Sequence, residues 1–151
     1  MRAVPSHRAA ATTKVLLVDD NLNGILARQS VLEELGYIVL AARSGVEALK
    51  LVDEQKFDLI ITDFKMPSMN GQELIAHLRQ KGIQTPIILL SGYADLLGFH
   101  AEQADIVIQK SSHEVAQMIS AAKRLLTAPR KSAKSERASR KQSAQGGTSK
   151  G

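Results

Sequence analysis

The chain has 151 residues, of which 44% are hydrophobic and none is cysteine. This is enough apolar material for the core of one domain, and the length leaves no room for a second folded domain. The lack of cysteine excludes disulfides, thiolate metal sites and cysteine nucleophiles, and it suits a reducing cytoplasm. The longest apolar runs are strand-sized, so we expect no membrane insertion.

The formal charge of +5 is unevenly distributed along the chain. Residues 129–151 carry seven basic residues and one acid, which gives this segment a net charge of +6 and the rest of the chain −1. The same segment lacks an apolar period, so we predict a basic, disordered tail. Residues 1–13 contain no continuous apolar run and predict a loose N-terminal leader. The domain itself is expected over residues 14–128.

Short apolar runs alternate with helical patterns throughout the predicted domain. The runs predict five strands, at residues 14–19, 38–41, 59–62, 86–90 and 106–108. The spacing of apolar residues predicts helices at 22–35, after Ser44, at 71–81, around 95–102 and from Ser112 onward, where Val115 and Met118 begin an apolar stripe. Such an alternation is typical of a doubly wound α/β fold with a parallel sheet covered on both faces.

Polar side chains stand where four of these strands end. The first strand ends in Asp19-Asp20, the third in Asp63, the fourth in Ser91 and the fifth in Lys110. The carboxyl ends of parallel strands meet at one edge of the sheet, so these groups should lie together. Three clustered carboxylates repel one another unless a cation sits between them, and hard oxygen ligands favour Mg²⁺.

A carboxylate in such a cluster can also act as a nucleophile toward phosphorus. The product is an acyl phosphate, and the charge on the transferred group must be neutralised. Mg²⁺, the Lys110 ammonium and the Ser91 hydroxyl could supply this neutralisation. Gly92 leaves room for the incoming group.

The motifs that carry these residues resemble those of the response regulator receiver family. They are Val18-Asp19-Asp20-Asn21, Ile61-Thr62-Asp63-Phe64-Lys65-Met66-Pro67 with Asn70-Gly71, Leu90-Ser91-Gly92-Tyr93-Ala94, and Lys110. The likeness covers residues 14 to about 126 and implies a flavodoxin-like receiver fold. The spacing from Ser91 to Lys110 is shorter than in common receivers, so the fourth helix should be shortened.

The resemblance also implies a role for each site residue. Asp63 would be the phosphoacceptor, Asp20 a direct Mg²⁺ ligand and Asp19 a ligand acting mainly through water. The backbone carbonyl of Lys65 would complete the metal site. Ser91 would be the switch hydroxyl, and Lys110 would contact the phosphoryl group. We further expect Gly92 and Tyr93 to modulate the reaction, Tyr93 by flanking the path of the attacking water.

A single-domain response regulator of a two-component phosphorelay is the function that this resemblance implies. Its donor would be a sensor histidine kinase or a phosphotransfer protein, and its output would be contacts with a downstream protein. Self-phosphorylation from a donor and slow autodephosphorylation would be its only chemistry, so the chain is not expected to be an enzyme.

Two positions depart from the family pattern. Val107 stands where most receivers carry an aromatic switch residue, which argues against coupling by an aromatic side chain. Ser111 follows Lys110 where proline with a cis peptide is usual, and a cis bond here would cost about 2.5–4 kcal/mol, so we expect a trans bond or a reshaped loop.

Gly71, in the loop after Asp63, is expected for its backbone conformation rather than for chemistry.

Other functions fit the sequence less well. A haloacid-dehalogenase-type phosphatase needs a second Asp two places after the nucleophile, where this chain has Lys65. A phosphorylation-independent, receiver-like adaptor is the main alternative. The basic tail could attract nucleic acid weakly, but it carries no aromatic residue to stack on bases.

Overall fold

Five parallel strands form the central sheet of the protein. The computed structural model describes residues 12–92 and 103–128. The strands are Lys14–Val18 (β1), Ile38–Ala42 (β2), Leu59–Asp63 (β3), Ile87–Ser91 (β4) and Ile106–Gln109 (β5). Their order is β2-β1-β3-β4-β5, and every neighbouring pair is parallel. This order is that of the flavodoxin-like, doubly wound fold, so the predicted fold class is confirmed.

Four helices cover the two faces of the sheet in the described residues. They are Leu22–Glu34 (α1), Gly45–Glu54 (α2), Gly71–Gln80 (α3) and Glu114–Thr127 (α4). Alternate residues along the buried strands face opposite sides, so one core lies under α1 and α4 and the other under α2 and α3. Apolar residues on both faces of β1, β3 and β4 explain why the sheet is covered twice. The predicted short helix around 95–102 lies outside the described residues.

Polar side chains begin the first three helices. Asn21, Ser44 and Asn70 each accept a hydrogen bond from a backbone amide of the first turn, which satisfies one of the amides left without a helical partner. Around Asn70 the Glu73 side chain completes a reciprocal capping box. These caps fix where α1, α2 and α3 leave the carboxyl edge of the sheet.

The start of the last helix differs from the sequence prediction. Helix α4 begins at Glu114, after His113, rather than at Ser112. Val115 was predicted to begin the buried stripe, yet it is exposed. The buried stripe begins instead at Met118, and the first turn of α4 contributes Glu114, whose half-buried side chain pairs with Arg28 of α1.

The predicted leader and tail are largely beyond the part of the chain that the structure describes. Residues 1–11 and 129–151 both lie outside it, so the proposed boundaries at 13 and 128 stay predictions. Within residues 12–92 and 103–128, no helix combines the length and the apolar character needed to cross a membrane.

Candidate functional site

Three carboxylates meet at the carboxyl edge of the sheet, as the sequence predicts. Strands β1 and β3 pair directly, with Val18 opposite Thr62, so the residues that follow these positions become neighbours. One oxygen each from Asp19, Asp20 and Asp63 lies within 4.8 Å of the others. Asp19 and Asp63 are 2% and 4% exposed, and Asp20 is more open to solvent. Two carboxylates of the cluster are therefore buried, and solvent reaches the cluster on the side of Asp20.

Asp63 is held in a charged but poorly solvated environment. Burial raises the pKa of its carboxyl, the ammonium of Lys110 lowers it, and the charge of Asp19 raises it again, so that the pKa lies above its usual value. Lys110 Nζ contacts Asp63 Oδ1 as an ion pair. Within the described residues, however, no hydrogen bond of acceptable angle reaches this buried oxygen.

Ser91 and Lys110 lie beside the cluster at the ends of β4 and β5. Ser91 is fully buried, and its carbonyl accepts a hydrogen bond of 2.8 Å from the Lys110 amide. The strand end thus positions the lysine, whose ammonium reaches Asp63. The peptide between Lys110 and Ser111 is trans, as predicted, because the described residues contain no cis bond.

The loop between β3 and α3 folds back on the site. The Gly71 amide donates a 2.7 Å hydrogen bond to the carbonyl of Phe64. A Cβ atom at Gly71 would lie 2.4 Å from the carbonyl oxygen of Asp63. Gly71 was expected for its backbone conformation, but its φ is not positive, and close packing against Asp63 is the reason for a glycine here.

The remaining predicted site residues are only partly covered by the structure. Lys65 lies in the same loop, two residues after Asp63, and its side chain is exposed. Gly92 directly follows β4. Tyr93 lies outside the described residues. Val107 packs at the edge of the core under α2 and α3, opposite Leu89 of β4.

Sequence reasoning missed a buried arginine in this site. Arg28 of α1 is 7% exposed, and its Nη1 donates a 2.6 Å hydrogen bond to Asp19 Oδ2. Its Nε donates a 2.8 Å hydrogen bond to Glu114 Oε2, which Nη2 also contacts. Burial works against the charge of this guanidinium, but the hydrogen bonds and charges of Glu114 and then of Asp19 outweigh it and raise the pKa of Arg28.

A signal for Arg28 was present in the spacing of α1. It lies three residues after Ile25 and four before Leu32, both of which are buried, so it occupies the core-facing stripe. Leu22 and Leu26 belong to the apolar residues from which the helix at 22–35 is predicted, but they are 50% and 55% exposed. A charged residue at a core-facing position requires a partner, and Asp19 was already predicted nearby.

The oxygen atoms of the cluster fit a magnesium ion. All three side chains offer carboxylate oxygens, which are the hard ligands that Mg²⁺ prefers. Asp63 Oδ1, which the Lys110 ammonium contacts, accepts no well-directed hydrogen bond within the described residues, so a metal ion beside it would displace none. Asp19, in contrast, is oriented on both sides, since Oδ1 accepts from the Asn21 amide at 2.9 Å and Oδ2 accepts from Arg28.

Sequence comparisons agree with this geometry. Residues 15–123 match the family described as the response regulator receiver domain. The chain is 40% identical over 78 residues to the alkaline phosphatase synthesis transcriptional regulatory protein PhoP of Bacillus subtilis, covering 52% of this chain and 32% of PhoP. It is 37% identical over 86 residues to the sensor histidine kinase GacS of Pseudomonas protegens, covering 54% of this chain and 9% of GacS. The chain therefore spans a third or less of these relatives.

Solved structures give the same result over more of the chain. The response regulator TrrA of Thermotoga maritima, in complex with Mg²⁺ and BeF, has a TM-score of 0.70 and 32% identity, covering 76% of this chain and all of TrrA. TrrA in complex with the histidine kinase ThkA has a TM-score of 0.69, again with 32% identity, and covers 77% of this chain and all of that chain. With its fold, its carboxylate cluster and the match over residues 15–123, this chain belongs to the response regulator receiver domain family.

Proposed function

We propose that this receiver domain accepts a phosphoryl group on Asp63 and signals through protein contacts in a two-component phosphorelay. The family is a signalling domain of two-component systems. The observation that carries the assignment to Asp63 is its position: a buried carboxylate ends the central strand β3, with Asp19 and Asp20 on one side and the Lys110 ammonium on the other. Asp19 and Asp20 follow β1 and have no equivalent contact with Lys110 in the described residues.

The proposed transfer uses the Asp63 carboxylate as the nucleophile. Its oxygen forms a bond to phosphorus while the P–N bond of a phosphohistidine donor breaks, and the electron pair of that bond leaves with the imidazole. Lys110 stabilises the negative phosphoryl oxygens, the Ser91 hydroxyl donates to one of them, and Gly92 leaves space beside them. Tyr93 is proposed to slow hydrolysis by flanking the path of water.

Mg²⁺ would neutralise charge on the phosphoryl group and on the cluster that receives it. Its proposed ligands are the carboxylates of Asp19, Asp20 and Asp63 and the backbone carbonyl of Lys65. Two findings support this cofactor, namely the acidic cluster of the chain and the complex of TrrA with Mg²⁺ and BeF.

The proposed donor is a histidine kinase or a phosphotransfer protein. TrrA, whose whole length is similar to 77% of this chain, forms a complex with the histidine kinase ThkA. In this chain, Leu22 and Leu26 expose apolar surface on α1, close to the carboxylates that follow β1. A donor protein that docks against these leucines would bring its phosphohistidine to the accessible side of the cluster.

Intact-protein mass spectrometry after incubation with acetyl phosphate tests the proposal. We expect one phosphoryl adduct on the wild type in the presence of Mg²⁺ and none after chelation. Asp63→Asn should give no adduct, while Asp53→Asn, which changes an exposed carboxylate paired with Lys81, should behave as the wild type. An equal adduct on Asp63→Asn would contradict the assignment.

A phosphorylation-independent adaptor is the second candidate. It is favoured by one observation, that Arg28 and Lys110 already place two cations against the carboxylates of the cluster. An adaptor would bind its partner equally well as wild type and as Asp63→Asn. A receiver of the proposed kind would bind its partner differently in the two forms once acetyl phosphate and Mg²⁺ are added.

A further inference from the structure

A chain of buried ion pairs leads from the carboxylate cluster to the last helix. Asp19, Arg28 and Glu114 come from the end of β1, from α1 and from the first turn of α4. Their side chains are 3%, 8% and 13% exposed, so water screens these charges little. Arg28 is common to both ion pairs: its Nη1 donates a hydrogen bond to Asp19, and its Nε donates one to Glu114.

A glycine makes room for the first of these pairs. A Cβ atom on Gly24 would lie 2.5 Å from Asp19 Oδ2 and 3.0 Å from Arg28 Nη1. The nearer of these distances is too short for a real Cβ contact, so with a residue other than glycine the Asp19 carboxylate would have to shift at its contact with Arg28. Glycine in the first half of a helix costs stability relative to alanine, and the contact between Asp19 and Arg28 gives this position a physical reason for accepting that cost.

We propose that Arg28 couples the occupation of the carboxylate cluster to the first turn of α4. A guanidinium shared by two carboxylates responds to any change at one of them by altering its bond to the other. A cation or phosphoryl group that draws on Asp19 would weaken its pair with Arg28, and Arg28 would then bind Glu114 more tightly. The inference extends the proposed function, and it gives the domain a link between site and surface that does not use an aromatic residue at Val107.

Competition between Mg²⁺ and Arg28 for Asp19 follows from this coupling. Arg28 is a fixed positive charge against one of the proposed metal ligands, and like charges in a buried site repel. Removing Arg28 should therefore tighten Mg²⁺ binding. Without the charge of Glu114, Arg28 would pair with Asp19 only and would compete more strongly with Mg²⁺ for it, so Mg²⁺ binding should weaken. A merely structural role for Arg28 predicts a loss of affinity in both cases.

The coupling is tested first without metal, by the backbone amide NMR shifts of residues 114–118 in chelated buffer. Asp19→Asn should move these resonances in the wild-type background and leave them nearly unmoved in an Arg28→Met background. Asp20→Asn is the matched control, because it removes a carboxylate of the same cluster that forms no ion pair with Arg28 among the described residues. Shifts of the same size with and without Arg28 would overturn the proposal.

The second test measures the Mg²⁺ dissociation constant by calorimetry. We expect Arg28→Met to bind Mg²⁺ about fivefold tighter and Glu114→Gln about twofold weaker than the wild type. Gly24→Ala, whose Cβ atom should displace the Asp19 carboxylate from its contact with Arg28 without removing a charge, should reduce the response of residues 114–118 to Mg²⁺. Arg79→Met is the control, because Arg79 is a half-buried arginine paired with Asp105 at the opposite edge of the sheet.

The possible outcomes separate this inference from the proposed function. Unchanged or weaker Mg²⁺ binding by Arg28→Met would overturn the coupling while leaving the metal site intact. A wild type that binds no Mg²⁺ would remove the proposed metal site, and the amide shifts in chelated buffer would then decide the coupling alone. If Arg28→Met does not fold, the same comparison with Gly24→Ala decides it.

Discussion

Asp63 is the residue at which the demands of folding and of chemistry differ most. As a nucleophile it must be ionised, yet burial disfavours its charge and raises its pKa. Lys110 offsets part of this effect through its ion pair with Oδ1. Keeping this buried carboxylate ionised at neutral pH therefore lowers the stability of the folded protein. A cation bound beside Asp63, or a neutral side chain in its position, would remove this cost.

The pH dependence of this cost has a definite sign. Because the pKa of Asp63 is higher in the folded than in the unfolded chain, the folded chain binds more protons between the two values, and stability falls as the pH rises through that window. In chelated buffer, Asp63→Asn should be more stable than the wild type at pH 7. The advantage should shrink as the pH falls toward about 4, the ordinary carboxyl value. Urea unfolding at several pH values measures it, and a less stable variant at pH 7 would contradict the account.

Among the loops that the structure describes, the one from β3 to α3 holds a strained residue. Ser68 has φ 72°, and it is the only residue other than glycine with positive φ in the described part of the chain. This loop also holds Lys65, whose carbonyl is a proposed metal ligand, and it is closed by the contact between Gly71 and the Asp63 carbonyl. Strain at Ser68 therefore lies within the element that shapes the site.

Glycine at position 68 should relieve this strain. The left-handed conformation costs a residue other than glycine about 1 kcal/mol, and the greater freedom of glycine in the unfolded chain returns about 0.5 kcal/mol of that, so Ser68→Gly should stabilise by roughly 0.5 kcal/mol. Ser30→Gly, in the exposed interior of α1, should instead destabilise by about 0.5–1 kcal/mol. Urea unfolding compares the two, and destabilisation by both would show that Ser68 is not strained.

The strands and most helices could be predicted because their apolar residues recur with clear periods. The carboxylate cluster could be predicted because parallel strands end at one edge. The second partner of Arg28, Glu114, could not be predicted, since it is 86 residues away in sequence and meets Arg28 only in the folded protein. The start of α4 was placed too early because Ser112 and Val115 fit a cap and an apolar stripe, although the helix begins at Glu114 and its burial at Met118.

At the scale of the whole molecule, the topology places the site and the proposed docking surface at the same edge. Helix α1 leaves β1 directly after Asp19 and Asp20, so its first turns border the cluster. Leu22 and Leu26 lie on these turns and are half exposed. The tail predicted over 129–151 carries a net charge of +6 and is proposed to add only weak, salt-dependent attraction to nucleic acid.

A charge on this surface should separate donor docking from chemistry. Leu26→Glu should slow phosphotransfer from a cognate phosphohistidine protein by about tenfold, because it removes an apolar contact and adds a buried charge to the interface. Phosphorylation by acetyl phosphate should stay within about twofold of the wild type. Val46→Glu, an equally drastic change at a 66% exposed valine of α2 over the other core, is the control. Equal slowing with both donors would contradict docking at Leu26.

The most direct test of the central claim is to locate the phosphoryl group itself. An acyl phosphate on an aspartate is reduced by borohydride to homoserine, which marks the modified residue for peptide mapping by mass spectrometry. After incubation with acetyl phosphate and Mg²⁺, we expect homoserine at position 63, and at neither 19 nor 20. A phosphoryl group found only on another residue, or no modification of a protein that binds Mg²⁺, would contradict Asp63 as the phosphoacceptor.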